Sequence, residues 1–133
     1  MSAVDRVVLV VDDEAPLRRV LERCLRRSGY RVLSTGSGED AYSLLDAEHV
    51  DAALLDIRLP TMSGLELYVA LAHRWPGLEG RMAIMTGDAE AQEVRAWLAE
   101  HQCTVLRKPF NLTEIEAWLG GLWEIREQET SNG

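Results

Sequence analysis

Apolar residues fall into five short runs, and most of them stop abruptly at a polar signal. Residues 6–11 break at Asp12-Asp13-Glu14. Residues 30–35 follow Ser28-Gly29, and residues 50–56 end on Asp56. Residues 82–85 meet Thr86-Gly87-Asp88, and residues 104–107 close on Lys108-Pro109. The continuous apolar runs in 6–11 and 52–55 predict strands buried on both faces of a parallel sheet, and the other three segments read as strands. Between the runs the apolar period becomes helical. Leu17, Val20, Leu21, Cys24 and Leu25 follow Pro16, which suits a first helical turn. Ala41, Leu44 and Leu45 follow the capping-box-like Ser37-Gly38-Glu39-Asp40. A third helix is predicted over 65–74, ended by Pro76-Gly77, and a fourth over about 89–101 on Ala91, Val94 and Leu98. Asn111 with Glu114 caps a fifth helix, whose stripe is Leu112, Ile115, Trp118, Leu119 and Leu122. Residues 1–126 form the predicted domain, and residues 127–133 a polar tail that frays.

Strand and helix alternate five times without linker, repeat or low-complexity segment. That order demands right-handed crossovers and a parallel sheet covered on both faces. The predicted fold is α/β, a flavodoxin-like (βα)5 doubly wound sheet with strand order 2-1-3-4-5. Ligands of open α/β sheets bind outside the carboxyl ends of the strands. Strands 1, 3, 4 and 5 end on Asp12 and Asp13, Asp56, Thr86 and Lys108, so four separate segments converge on one crevice. The organising stretch is residues 52–60, where four apolar residues run into Asp56 and Pro60 follows.

The length of 133 residues fits one domain with its own core. No apolar run approaches the roughly 18 residues of a membrane span, and no secretory pattern opens the chain. A cytoplasmic location with reduced thiols is expected. Cys24 and Cys103 stand far apart, and neither has a metal-ligand spacing. A net charge of -8 argues against direct nucleic-acid binding. Of the 14 Lys and Arg residues, only Lys108 is a lysine. An ammonium is a compact point charge, suited to a phosphoryl oxygen in a tight pocket where a planar guanidinium is not.

Three clustered carboxylates raise one another's pKa unless a cation compensates them. An all-oxygen donor set favours Mg²⁺. Asp56 then has the environment of a carboxylate nucleophile, with Lys108 and the Thr86 hydroxyl stabilising charge on a transferred phosphoryl group. Taken singly, each residue has a plainer reading: an acidic strand-to-helix turn, a capping hydroxyl, a turn-capping aspartate. Their joint placement at four strand ends favours a site.

Over residues of about 5–124 the chain resembles the receiver domain of two-component response regulators and phosphorelays. The motifs are Val-Val-Asp12-Asp13-Glu14, Leu-Leu-Asp56-Ile-Arg-Leu-Pro60-Thr-Met-Ser-Gly64, Met-Thr86-Gly87-Asp88 and Lys108-Pro109-Phe110. The resemblance implies that Asp56 accepts a phosphoryl group from a phosphohistidine and later loses it. It implies that Asp13, Asp56 and the Arg58 carbonyl bind Mg²⁺, with Asp12 acting through water. It further implies that Thr86 and Lys108 contact the phosphoryl oxygens and that the Lys108–Pro109 bond is cis. The implied partner is a histidine kinase or histidine phosphotransfer protein, and the implied chemistry is self-modification, not turnover.

Val105 stands where many members of this family carry an aromatic residue that couples phosphorylation to output. Receivers of hybrid histidine kinases often lack that aromatic. The chain is therefore expected to be either a stand-alone receiver or part of a larger sensor kinase. Arg58 and Asp88 are expected to pair across the pocket mouth. Arg18, Arg19, Arg23, Arg26 and Arg27 predict a solvated face on the first helix, or else a docking surface for a histidine-bearing helical partner. Trp97 and Trp123 lie off the main stripes, at the core edge or on an interaction face. His49, His73 and His101 read as surface or edge residues. A dehalogenase-type phosphatase would need an acid where Arg58 stands, and a flavodoxin phosphate loop would not carry Asp12-Asp13-Glu14. A pseudo-receiver that is never phosphorylated remains the alternative.

Overall fold

The computed structural model describes residues 6–132, with side chains through Glu124. Strands β1 (Val7–Val11), β2 (Arg31–Thr35), β3 (Ala52–Asp56), β4 (Met82–Thr86) and β5 (Thr104–Arg107) form one parallel sheet in the order β2-β1-β3-β4-β5. The predicted doubly wound topology is therefore the observed one. The intervening helices are α1 (Ala15–Arg27), α2 (Gly38–Ala47), α3 (Gly64–Arg74), α4 (Gln92–Glu100) and α5 (Leu112–Asn132), with a 3₁₀ turn at Pro76–Leu78.

β1, β3 and β4 are buried along their whole length, which is why they read as unbroken apolar runs. Alternate residues serve opposite faces. Leu9, Ala53, Leu55 and Ile84 pack under α2, α3 and α4 with Ala41, Leu45, Leu67, Leu71 and Val94. Val8, Val10, Leu54 and Met85 pack under α1 and α5 with Leu21, Leu25, Ile115 and Leu119. Each fully buried Val, Leu, Ile or Met side chain among them contributes about 1.5–3 kcal/mol over an exposed one.

Side-chain caps stand at three helix starts, of which those at Ser37 and Asn111 match the expected signals. The Ser37 hydroxyl accepts the Asp40 amide, that of Ser63 accepts the Leu65 amide, and the Asn111 side chain accepts the Thr113 amide. One expectation about a helix end is corrected. α4 begins at Gln92, not near 89, because the Thr86 hydroxyl takes the Asp88 amide and holds residues 86–88 in a turn. α5 runs past residue 127, since neither Gly nor Pro interrupts residues 122–132. The side chains of the expected polar tail lie outside the described residues.

Trp97 and Trp123 form no exposed pair. Trp123 is buried in the core, and its indole N–H donates to the Tyr30 hydroxyl at 3.0 Å. Trp97 packs edge-on to Tyr68 and stacks on His101, with ring centroids 5.2 and 4.3 Å away. The histidines sit at edges: His49 pairs with the buried Asp51 at 3.0 Å, and His73 is exposed. Cys24 and Cys103 are free, and burial pushes the Cys103 thiol up to about 11.

Candidate functional site

The strand register places the site. Val11 lies opposite Leu55, and Asp56 opposite Met85, so the residues just beyond these pairs reach the same level of the sheet. A slip of one residue would turn Asp56 away from the crevice. Asp12, Asp13 and Asp56 each offer a carboxylate oxygen within 4.8 Å of the others, the one such acidic group among the described residues. Asp12 and Asp56 are buried and Asp13 is exposed. The adjoining cleft, about 550 Å³, is lined by Asp13, Asp56, Arg58, Thr86, Asp88 and Lys108, with Glu14, Ile57 and Gly87 completing it. A larger cavity of about 660 Å³ opens near His49, Trp75 and Arg81, which precede β3 and β4 at the other end of the sheet.

Lys108 closes the site. Its Nζ lies 2.9 Å from Asp12 Oδ2 and 3.2 Å from Asp56 Oδ1. β5 delivers it: the Lys108 amide donates to the Thr86 carbonyl at 2.7 Å, and the Lys108–Pro109 bond is cis. Burial works against the ammonium, but the Asp12 and Asp56 carboxylates outweigh it and hold its pKa above the usual lysine value. For Asp56 the balance goes the other way. Burial and then the Asp12 charge raise its pKa, against the pull of Lys108 and the Arg58 amide. Because one ammonium serves two carboxylates, the group remains negative. With Asp13 included, three carboxylates against one ammonium leave a formal charge of -2. That charge and an all-oxygen donor set fit a hard divalent cation.

Thr86 is buried at the end of β4. Its hydroxyl oxygen accepts the Asp88 amide at 3.0 Å and keeps its own proton for donation. Arg58 follows two residues after Asp56 and bridges to Ser63 across the β3–α3 loop. Both Arg58 and Asp88 line the cleft and are exposed, yet among the described residues no ion pair joins them. The expected pairing is not made here; hydrated charges gain little from it.

Sequence reasoning missed two contributors. In the sequence Gly64 is only the last residue of the Asp56 motif, with no role of its own, but a Cβ there would strike the Asp56 carbonyl oxygen and fall 2.9 Å from the Ile57 Cα. The Gly64 amide also donates to the Ile57 carbonyl at 2.8 Å, so α3 begins pressed against the strand end that carries Asp56. Arg18 read as part of a solvated helix face, but its guanidinium donates to the Asp12 carbonyl. Arg26 likewise reaches the Val32 carbonyl, while Arg19, Arg23 and Arg27 are exposed. For Gly64 the signal was its place in the motif that carries Asp56; for Arg18 there was none.

The family model for the response regulator receiver domain matches residues 8–119. The chain is 32% identical over 108 residues to the probable transcriptional regulatory protein TcrX of Mycobacterium tuberculosis, covering 81% of this chain and 45% of that protein. It is 35% identical over 115 residues to the sensor histidine kinase AruS of Pseudomonas aeruginosa, covering 85% of this chain and 12% of the kinase. This chain thus spans about half, or much less, of the length of such curated relatives. Among solved structures, the non-phosphorylated HemR receiver domain of Leptospira biflexa matches with a TM-score of 0.75 at 28% identity, over 87% of this chain and 92% of that one. The response regulator TrrA of Thermotoga maritima, solved in complex with Mg(2+)-BeF, matches with a TM-score of 0.71 at 25% identity, over 88% and 98%. With the sheet order and the converging strand ends already in place, these matches establish that the chain belongs to the response regulator receiver family of two-component and phosphorelay signalling.

Proposed function

We propose that Asp56 accepts a phosphoryl group from a phosphohistidine on a histidine kinase or histidine phosphotransfer protein, and later loses it to water. The observation that carries this reading is the grouping of Asp12, Asp13 and Asp56 with Lys108, 3.2 Å from the Asp56 carboxylate. A buried carboxylate held above its ordinary pKa range is the more nucleophilic for it. Asp56 attacks phosphorus in line, and the histidine nitrogen leaves. Lys108 and the Thr86 hydroxyl then face the oxygens on which charge is spread. Asp13 and Asp56, with the Arg58 carbonyl, would hold Mg²⁺, and Asp12 would act through water. When bound, the cation neutralises excess negative charge at the acceptor and on the incoming group.

The site modifies its own aspartate and does not turn over external esters. Arg58 occupies the position where an aspartyl-phosphate phosphatase needs its general acid. The kinase relatives, of which this chain spans about an eighth, support a role as one module of a larger sensor protein as readily as a stand-alone receiver. No helix among the described residues is long and apolar enough to cross a membrane.

The test is intact mass after incubation with Mg²⁺ and a small-molecule phosphodonor. One added phosphoryl group is expected in the wild type and in Asp46→Asn, and none in Asp56→Asn. Asp46 is an exposed α2 residue paired with Arg74, remote from the cleft lining. A wild type that never gains the adduct would support the pseudo-receiver instead.

A further inference from the structure

Resting on the acceptor site proposed above, we infer that Arg18 is a positioning residue that orients Asp13 for the divalent cation. Asp12 is held at every polar group. Its amide donates to the Thr35 carbonyl at 3.0 Å. Its Oδ1 accepts the Glu14 amide at 2.9 Å, and its Oδ2 accepts Lys108 Nζ at 2.9 Å. Its carbonyl accepts from Arg18 Nη1. Asp13 is held differently. Among the described residues no hydrogen bond or ion pair fixes its exposed carboxylate, so what the fold sets is the direction of its Cα–Cβ bond, through the peptide it hangs on. That peptide's oxygen is the Asp12 carbonyl. The strand ladder ends at Val11, so the sheet does not restrain this carbonyl, and a helix side chain does.

The space for Arg18 is shaped for it. A Cβ at Gly36 would come within 3.0 Å of Arg18 Nη1 and 3.7 Å of the Asp13 Cα. The guanidinium therefore lies between β2's exit loop and the Asp12–Asp13 turn. α1 aims it from one turn in, where the Arg18 amide donates to the Glu14 carbonyl at 3.1 Å. Arg19 beside it is exposed and makes no such contact. Charge alone would have the opposite effect, since a cation near the site repels Mg²⁺. The sign of a mutant's effect therefore separates positioning from simple electrostatics.

The experiment is calorimetric titration of the whole chain with Mg²⁺ at fixed ionic strength, with melting curves in chelator alongside. Arg18→Ala is expected to weaken Mg²⁺ about ten- to a hundredfold, the usual loss when the group orienting a metal ligand is removed. Arg18→Lys keeps the charge and one donor and is expected to recover part of that loss, whereas Arg19→Ala is expected to titrate as wild type. Gly36→Ala, which crowds the guanidinium, is expected to weaken Mg²⁺ in the same direction. Equal or tighter binding by Arg18→Ala would overturn the inference. If Arg18→Ala melts far below wild type in chelator, the Gly36→Ala and Arg18→Lys titrations decide instead. A wild type that fails to bind Mg²⁺ would sink the acceptor-site reading itself, whatever the Arg18 variants do.

Discussion

Lys108 is shared between two acids, and that sharing decides how both behave. It lies closer to Asp12, which is fully buried, than to Asp56. Asp56 is therefore left with less compensation than its burial requires, and its pKa rises. An acid whose folded pKa is raised favours the fold while protonated. That contribution is present below the unfolded value and is lost as pH rises through the folded one. At neutral pH the ionised Asp56 is thus a cost to the metal-free protein. Asp56→Asn is expected to raise its melting temperature by a few degrees at pH 7 in chelator, and the gain should vanish as pH falls below about 4. A lower melting temperature at pH 7 would mean that the lost Lys108 contact outweighs the relief of burial. Lys108 has the opposite sign of charge. Its raised pKa contributes stability that is complete below the ordinary lysine value and is lost only as pH rises through the folded one.

At the scale of elements, two sets of glycines carry opposite predictions. Gly64 starts α3 where a side chain would strike the backbone of Asp56 and Ile57. Backbone cannot move aside as a flexible side chain would. Gly64→Ala is expected to destabilise by about 1–3 kcal/mol, measured by urea denaturation, and to displace Asp56 enough to slow its phosphorylation. Gly120 and Gly121 lie inside α5, and a Cβ at either would meet nothing within 4 Å. With no steric need for glycine, each costs helix stability through backbone freedom. Gly120→Ala and Gly121→Ala are each expected to stabilise by roughly 0.5–1 kcal/mol in the same assay. A loss on either substitution would show that α5 needs its flexibility there. The late start of α4 belongs to this scale too. The Thr86 hydroxyl holds the Asp88 amide, and Arg107 of β5 reaches Glu90 in the same loop at 2.8 Å. The loop is thus tied to both strands that bring Thr86 and Lys108 to the site.

Across the whole molecule, the strand order is what turns scattered acids into a site. β1 and β3 are neighbours although α1, β2 and α2 separate them in sequence, so Asp12 and Asp13 meet Asp56. The uncompensated charge there couples metal binding to folding, because the unfolded chain does not hold the three acids together. Mg²⁺ at about a hundred times its dissociation constant is expected to add about 2.7 kcal/mol and several degrees of melting temperature. The same addition to Asp13→Asn should give much less. Equal shifts in both would show that the cation is held elsewhere.

Strands and helices were legible because burial leaves a period in the sequence. Strands covered on both faces become continuous apolar runs, as in Ala52–Asp56, and helices covered on one face become stripes, as in Ile115 and Leu119. The residues of the candidate cleft were legible because strand ends in this topology converge, so the sequence order alone brings Asp13, Asp56, Thr86 and Lys108 together. Trp123 was not legible, since its burial depends on partners distant in sequence, the Tyr30 hydroxyl that its indole N–H reaches and the Arg6 and Arg81 guanidiniums over its ring. The fold class, the strand order and the acids facing the crevice were thus determined by local pattern and topology. The sharing of Lys108, the clearance at Gly64 and the grip of Arg18 on the Asp12 carbonyl were decided only by tertiary structure, because each depends on side-chain reach between segments that no periodicity connects.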